Sequence, residues 1–582
     1  MRTMRVLSVS RKTRARPVCQ GMLPLLMASL ESESVETPST RVPSWGVIAV
    51  AAAIVVVFMV HRSAWEFLCD DAYISFRYAK NWAEHGELVF NTHPLERVEG
   101  YTNFLFVVLL SLGHGVKLAP HQLAPWLNAG GSLACLGLVT LLMRALRERG
   151  RSRGAAPLPL LVRDLLPASL LVLMPEFMVW SSSGLEGSVA LALGLSAVVA
   201  WLGGRPVWAA GFAMLAALCR EDSLLWIASF GVAYLLVEGL EARRRGQLTL
   251  SSIVWRRLAV ASVVFAVPLL AHLLWRQAYY GAWLPNTWTV KQSGMLLRDT
   301  WGQAYVEFWA RNLHLLFWVP LVVMLRLRHL LWVLPCLSNL AYAWWMGGDF
   351  MAYSRFLLPA TVFFVVLISC LLCDVERRLK RRASWFALLW CALVCVIAAQ
   401  IPERLKTDHR EDHIGGRWES VSAMDRFARI RVAAGTRMRQ ELSPDTRVSV
   451  GAAGAMPYTS ELQAYDSYGL IDAGVAQHSQ VQRGKRARPG HQLHASLSYM
   501  RAKKLDLFCH LGTDWTRKPS AKDARRRGFS RGSWACFETG SLAGRGGISR
   551  FFVREEPVES RFYCCLQPQT ASQTSGEARS IR

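Results

Sequence analysis

Between residues 401 and 582 the sequence has no apolar block long enough to cross about 30 Å of hydrocarbon, so this stretch is expected to fold in water. Carboxylates are scarce: 42 Asp and Glu face 67 Lys and Arg, for a net charge of +25 at pH 7. Such an excess suits nucleic acid, but the Arg and Lys residues fall largely in short bursts between apolar segments, where they read as orientation signals. Nucleic acid is therefore not an expected partner. No small-residue cleavage site follows the short apolar stretch 22–30, so residues 1–45 read as a disordered, basic cytoplasmic extension before an uncleaved first span. No internal repeat is visible either, which argues against a transporter built from inverted halves.

What the chain has is apolar blocks. Hydrophobic residues make up 52% of it, and the blocks recur from residue 46 to residue 399. The spacing predicts about eleven spans, over 46–61, 124–143, 164–180, 187–202, 206–219, 223–238, 258–275, 312–325, 330–346, 356–373 and 384–399. The apolar run 104–112 is the test case. If it crossed, the Arg-rich loop 144–153 would be external, against the positive-inside rule; if it lies at the interface or re-enters, all strong basic loops share the side of the N-terminus. We therefore expect that it does not cross. The resulting fold class is a polytopic α-helical membrane domain, 46–400, with a first external loop at 62–123, followed by an external α/β domain at 401–567 and a disordered end at 568–582.

The outward loops collect carboxylates, Gly, Asn, Tyr and Trp. Asp70 and Asp71 follow the first span directly, where an ionised carboxylate is costly unless paired, metal-bound or facing a wet cavity. They suit general-base work or cation binding; a solvated helix cap is the bland alternative. Residues 72–84 carry Tyr73, Phe76, Ala79 and Trp82 at helical spacing, the pattern of an amphipathic helix lying on the bilayer. Glu186, Arg220 with Glu221, and Asp349 with Arg355 each fall at an outer span end. An arginine among carboxylates at headgroup depth suits a lipid phosphate, and ion pairing between helix ends is the structural alternative. In YYGAWLPNTWTVK, Pro285, Asn286 and Lys291 punctuate an aromatic loop.

The segments DDAYISFRYAKNWAEHGELVFN, ERVEGYTNFL, SSGLEG, CRED, YYGAWLPNTWTVK, GGDFMAYSRFLLPA and YDSYGLID together resemble the GT-C glycosyltransferases of the mycobacterial terminal arabinofuranosyltransferase B type, and bacterial membrane proteins described as flagellar motor control proteins. The resemblance runs from about residue 70 to 494. It implies an enzyme of the bacterial inner membrane that moves a sugar, arabinofuranose in the named relative, from a polyprenyl phosphate to an acceptor hydroxyl of an envelope glycan or surface molecule on the periplasmic face. The family's first acidic motif falls on Asp70 and Asp71, with Asp70 the preferred base. Its Gly-Gly-Asp motif falls on Gly347, Gly348 and Asp349, with Arg355 the nearest candidate for the donor phosphate. Its Arg-Pro-Glu-like element falls on Arg220, Glu221 and Asp222, without the proline. Glu99, Tyr101, Glu186, Asn286 and Lys291 complete the expected binding set. Arg355, with Lys291 or a divalent cation such as Mg or Mn at Asp70 and Asp71, would offset the leaving phosphate's charge.

Beyond residue 410 the pattern suggests a helix to about Met438, then RVSVGAAGAMPY as a strand entering a tight turn. The turn lacks the Gly-Lys-Ser/Thr ending of a phosphate loop. Asp466, Asp472 and His478 fall in polar loops, as do His491 and His494, which read as surface residues ahead of a shared metal site. The basic clusters at 517–522 and 525–527 read as solvated surface. The thirteen cysteines read mostly as small buried hydrophobes, while Cys509 and Cys536 are expected to pair if their domain faces an oxidising compartment. A lipid-linked-sugar transporter and a non-catalytic scaffold for a surface appendage are the rival functions.

Overall fold

The computed structural model describes residues 44–148, 159–244, 252–293, 298–314, 319–378, 383–475, 479–481, 488, 490–510, 532–539 and 562–568. The N-terminal extension, the basic clusters at 517–527, His478 and the polar end beyond 568 lie outside the described residues.

The membrane-side elements in chain order are α1 (Ser44–Ala64), α2 (Ala72–His85), α3 (Phe104–Leu112), α4 (Pro120–Glu148), α5 (Leu166–Leu171), α6 (Pro175–Met178), α7 (Gly187–Leu202), α8 (Pro206–Cys219), α9 (Ser223–Arg244), α10 (Ser252–Tyr280), α11 (Asn286–Ser293) and α12 (Arg298–Asn312). The helices Leu330–Trp345, Leu358–Arg378 and Ala383–Arg410 follow. Among the described residues five stretches are long and apolar enough to cross a membrane: Trp45–Ala64, Pro120–Glu148, Ser223–Arg244, Leu258–Tyr280 and Ala352–Arg378. Gly187–Leu202 and Pro206–Cys219 are shorter apolar helices beside them. Along α10 the side chains of Val260, Val263, Val267, Leu270 and Leu274 are exposed at helical spacing. Such a stripe is stable against hydrocarbon and unfavourable in water.

Two poles organise the bundle. At one, Arg147 pairs with Asp164 at 2.5 Å, Arg163 with Glu376 at 4.0 Å, and Arg328 and Arg377 both grip Asp374. The basic ends of several sequence-distant segments thus meet, as the charge pattern predicts. The helix Leu358–Arg378 leads from there to the other pole; its 21 residues span about 31 Å, the thickness of the hydrocarbon. At this second pole Asn103, just before α3, bonds Glu186, while His121, just after the start of α4, bonds Tyr458 of the C-terminal domain at 2.9 Å. The chain therefore enters and leaves the α3 segment at the same end, and nine residues cover only about 14 Å.

The segment 164–180, expected as one span, is not one helix. It is broken into a 3-10 turn (Val162–Leu165), α5, α6 and a further 3-10 turn (Val179–Ser181), with prolines at the starts of α5 and α6. The interruption survives because neighbours bury it and meet its exposed polar groups: the His61 ring bonds the Val172 carbonyl at 2.8 Å. The expected span 312–325 includes residues outside the described set, and within its described part Val319–Met324 is 3-10 helix.

The C-terminal region adds the helices Val421–Glu441, Ala455–Ser460 and Leu497–Ala502, and strands β1 (His413–Ile414), β2 (Trp418–Glu419), β3 (Arg447–Val450), β4 (Gln463–Asp466), β5 (Ser479–Val481), β6 (Leu493–Ala495), β7 (Leu507–Phe508), β8 (Gly532–Glu538) and β9 (Phe562–Pro568). Five strands form a mixed sheet in the order β4-β3-β7-β9-β8, with β3 parallel to both β4 and β7 and β9 antiparallel to both neighbours. Cys509 and Cys536 do not pair with each other. Cys509 bonds Cys565 and Cys536 bonds Cys564, because β9 runs between β7 and β8 and carries adjacent cysteines to both.

The amphipathic stretch 72–84 also differs from expectation. It forms α2, but Tyr73 and Phe76 pack on Tyr458, and Arg77 is buried, donating to the carbonyls of Phe90 (2.7 Å), Pro457 (2.5 Å) and Leu462 (2.8 Å). Its face is covered by the C-terminal domain, and Arg77 satisfies backbone carbonyls of that domain at Pro457 and Leu462.

Candidate functional site

At the second pole a cavity of about 630 Å³ opens between the helix ends and the C-terminal domain. Of the residues expected to build a site, Asp71, Tyr101, Glu186, Arg220, Glu221, Lys291, Asp349 and Arg355 line it. Asp70, Glu99 and Asn286 do not.

Asp70 and Asp71 part company at the entry to α2. Asp71 is the residue before the helix; its side chain is 38% exposed, lines the cavity and approaches Arg355 to 3.9 Å. Asp70 is buried and accepts a hydrogen bond of 3.0 Å from the Ala455 amide. The Gly-rich turn after β3 closes over it so tightly that a Cβ on Gly454 would overlap the Asp70 backbone oxygen and carboxylate. The tight turn is thus a clasp for Asp70, and glycine is required there by close approach. The adjacent carboxylates thus diverge, one toward the Gly-rich turn and one into the cavity. Among the described residues no group of three or more His, Cys, Asp and Glu is placed to hold a metal, His491 and His494 included.

The other lining charges are engaged. Arg220 binds Asp222 in a two-pronged contact (2.9 and 2.6 Å) and Glu186 at 2.8 Å. Against the cost of its burial, which alone raises its pKa, the Arg220 guanidinium holds Asp222 below the ordinary carboxylate range. Glu186 also accepts from Asn103 at 2.8 Å, and Asn103 in turn bonds Ser75 on α2. Asp349 pairs with Arg355 and accepts from the Phe350 amide at 2.8 Å. Phe356 lies between Arg355 and Arg220, 5.1 and 5.8 Å from its ring centre, which spaces the two guanidinium groups. Glu221 is tied to Arg276 at 2.7 Å.

Arg276 also holds Glu99 at 2.8 Å, behind the wall; burial raises Glu99 to about 7 while Arg276 opposes the rise. Asn286 acts as a strut, its amide donating to the carbonyls of Gly469 and Leu470 and binding the α11 loop to the YDSYGLID segment.

Lys291 differs from all of these. It sits on α11, is open to the cavity, and forms no ion pair within 4.0 Å among the described residues. Desolvation by the surrounding protein, and then the Arg355 charge, pull its pKa below the ordinary lysine value, with Asp349 and Asp71 opposing.

The Gly-Gly-Asp turn sets the position of Asp349. Gly347 and Gly348 have φ of +81° and +69°, left-handed backbone that turns the chain off the helix Leu330–Trp345. A Cβ on Gly348 would come within 2.5 Å of the Tyr305 ring, whose hydroxyl accepts from the Phe356 amide at 3.1 Å. Gly348→Ala is expected to destabilise the protein by about 1–3 kcal/mol, through strained φ and overlap together. Its melting temperature should fall by several degrees, and an unchanged melt would show that the turn relaxes.

Sequence reasoning also missed wall residues. Trp288, Trp301, Tyr342, Phe350 and Phe356 add aromatic surface, and Leu470, Gly490, His491 and Gln492 enter from the C-terminal domain. Asp222 and Asn103 lay inside the quoted motifs, so their charge and amide were visible. Leu470 likewise lay inside YDSYGLID, while Gly490 and Gln492 had no such signal, because only folding brings them to helix ends far away in sequence.

Residues 421–535 match the family model described as "Domain of unknown function (DUF8728)". No curated protein matches the chain. Among solved structures the chain is similar to ArnT from Cupriavidus metallidurans in the apo state, at 11% identity and a TM-score of 0.48, covering 92% of this chain and 99% of that one. It is similar to ArnT from the same organism bound to undecaprenyl phosphate, at 10% identity and a TM-score of 0.47, covering 92% and 100%. It is also similar to the Archaeoglobus fulgidus oligosaccharyltransferase in complex with Zn and sulfate, at 11% identity and a TM-score of 0.40, covering 72% and 62%. Likenesses this distant decide neither activity nor substrate.

Proposed function

We propose that the chain is a membrane glycosyltransferase that takes a sugar from a polyprenyl phosphate and passes it to a hydroxyl of a cell-envelope glycan at the external face of a bacterial inner membrane. One observation carries this reading. An exposed carboxylate, Asp71, 3.9 Å from Arg355, and an ammonium, Lys291, that forms no ion pair among the described residues face one cavity in which the remaining charged lining groups pair closely with one another. A base and a cation left available in one cavity are what a displacement at a sugar phosphate uses.

In the proposed step Asp71 takes the proton of the acceptor hydroxyl. The acceptor oxygen bonds to the anomeric carbon as the bond from that carbon to the phosphate oxygen breaks, with inversion. Polyprenyl phosphate leaves with the electron pair, and its charge is met by Lys291 and Arg355. Arabinofuranose is the first donor sugar to test, on the motif resemblance. A path for moving the whole lipid headgroup across the bilayer finds less support. Val362, Phe363, Val365, Val366 and Ile368 on the central helix are all buried, and a charged headgroup passing them would be desolvated.

The full chain in lipid discs, given labelled polyprenyl-phosphate sugars and an envelope glycan, should label the glycan and release polyprenyl phosphate. Accumulation of labelled lipid across a vesicle membrane without release would favour transport, and neither outcome would favour a scaffold. Because Lys291 and Arg355 already supply the positive charge, transfer should continue at an undiminished rate in EDTA. Loss of transfer in EDTA, restored by Mg or Mn, would overturn the metal-free form of the step.

A further inference from the structure

Gln492 reaches the cavity from the C-terminal domain, just before β6. It is 7% exposed and lines the cavity, and its amide makes no hydrogen bond among the described residues. Its amide atoms are open to the cavity, so an otherwise buried side chain offers free donors and an acceptor to whatever the cavity holds.

The wall that carries Gln492 is held firmly. Arg488 binds Glu419 at 2.5 Å. Gly490, at φ +77°, turns the chain so that a Cβ there would lie 4.0 Å from the Lys291 side chain. The His491 ring is fixed edge-on between Phe350 and Tyr468, with centroids 5.0 and 4.8 Å away. The loop thus adjoins the cation assigned to the phosphate and presents a neutral group beside it.

We propose that Gln492 hydrogen-bonds hydroxyl groups of a sugar ring bound in the cavity, so that the C-terminal domain contributes a specificity-determining side chain to the membrane-level site. The inference rests on the transferase reading. An amide both donates and accepts, as each sugar hydroxyl does, and it adds no charge to compete with Lys291 for phosphate. Trp288, Trp301 and Phe350, which line the same cavity, offer flat faces for the apolar side of the ring. The ring belongs either to the donor or to the acceptor, and the two sources separate kinetically.

The test uses full-length Gln492→Ala and Gln492→Met in lipid discs, with sugar-free polyprenyl phosphate as a binding probe. Binding of the probe should be unchanged, while the apparent KM for one sugar substrate rises about tenfold and kcat moves much less. A rise for the lipid-linked sugar assigns the contact to the donor, and a rise for the glycan assigns it to the acceptor. If Gln492→Ala loses its melting transition, the near-isosteric and neutral Gln492→Met, which removes the donors and the acceptor without adding charge, gives the reading. Unchanged KM values for both substrates, or equal loss of probe binding in both variants, would overturn the inference and leave the transferase reading standing. An unaltered chain that transfers no sugar would overturn that reading and the inference with it.

Discussion

Asp71→Asn is expected to lower the rate of sugar transfer by about 10²–10⁴-fold, the usual contribution of a positioned general base, while polyprenyl phosphate still binds. The amide keeps the size of the side chain and its place before α2 but cannot take the acceptor's proton. Asp70→Asn should behave differently, because an Asn oxygen still accepts from the Ala455 amide and the carboxylate it replaces does not face the cavity. It should retain most of the transfer. Asp70→Ala strands the buried Ala455 amide and should cost about 1–3 kcal/mol of stability. Single-turnover transfer from a labelled lipid-linked sugar, together with a thermal melt, separates the two roles. Full transfer by Asp71→Asn would remove Asp71 as the base, and loss confined to Asp70→Asn would return the role to its neighbour.

Lys291→Ala should weaken polyprenyl phosphate binding by roughly 10- to 100-fold, the range of a charge-assisted hydrogen bond, without a change in fold. Because this lysine is unpaired among the described residues, its removal leaves no carboxylate stranded. Removing Arg355 would strand the buried Asp349 and confuse binding with stability. The affinity should also depend on pH. Desolvation by the cavity walls and the Arg355 charge disfavour the charged form of Lys291, so it loses its proton at a lower pH than an ordinary lysine, and phosphate affinity falls as pH rises through that lowered value. In Lys291→Arg, whose side chain stays charged, the alkaline fall should flatten. Titration of polyprenyl phosphate into discs at several pH values checks both points. Equal affinity for the unaltered chain and Lys291→Ala would move the phosphate elsewhere in the cavity.

Much of the site was legible because its parts lie at span ends that local patterns reveal. Glu186, Arg220, Glu221, Asp349, Arg355 and Lys291 each follow or precede an apolar block, and the charge bursts place those ends on one side. The same logic misjudged 164–180, where hydropathy registers burial but is blind to whether a helix is continuous; the prolines were the available sign. It also misjudged α2, whose apolar face looks the same in sequence whether lipid or a protein domain covers it.

The sequence by itself determined the division into an apolar helical part and a polar C-terminal domain, the clustering of basic ends, and most of the charged residues at the opposite pole. Hydrophobic length and charge act locally and can be read along the chain. Only the tertiary structure decided which of two adjacent aspartates faces the cavity, that Glu99 and Asn286 stand behind its wall, which cysteines pair, and that Gln492 enters from the C-terminal domain. Those outcomes depend on the direction of single side chains and on contacts between segments far apart in sequence, which neither periodicity nor composition encodes.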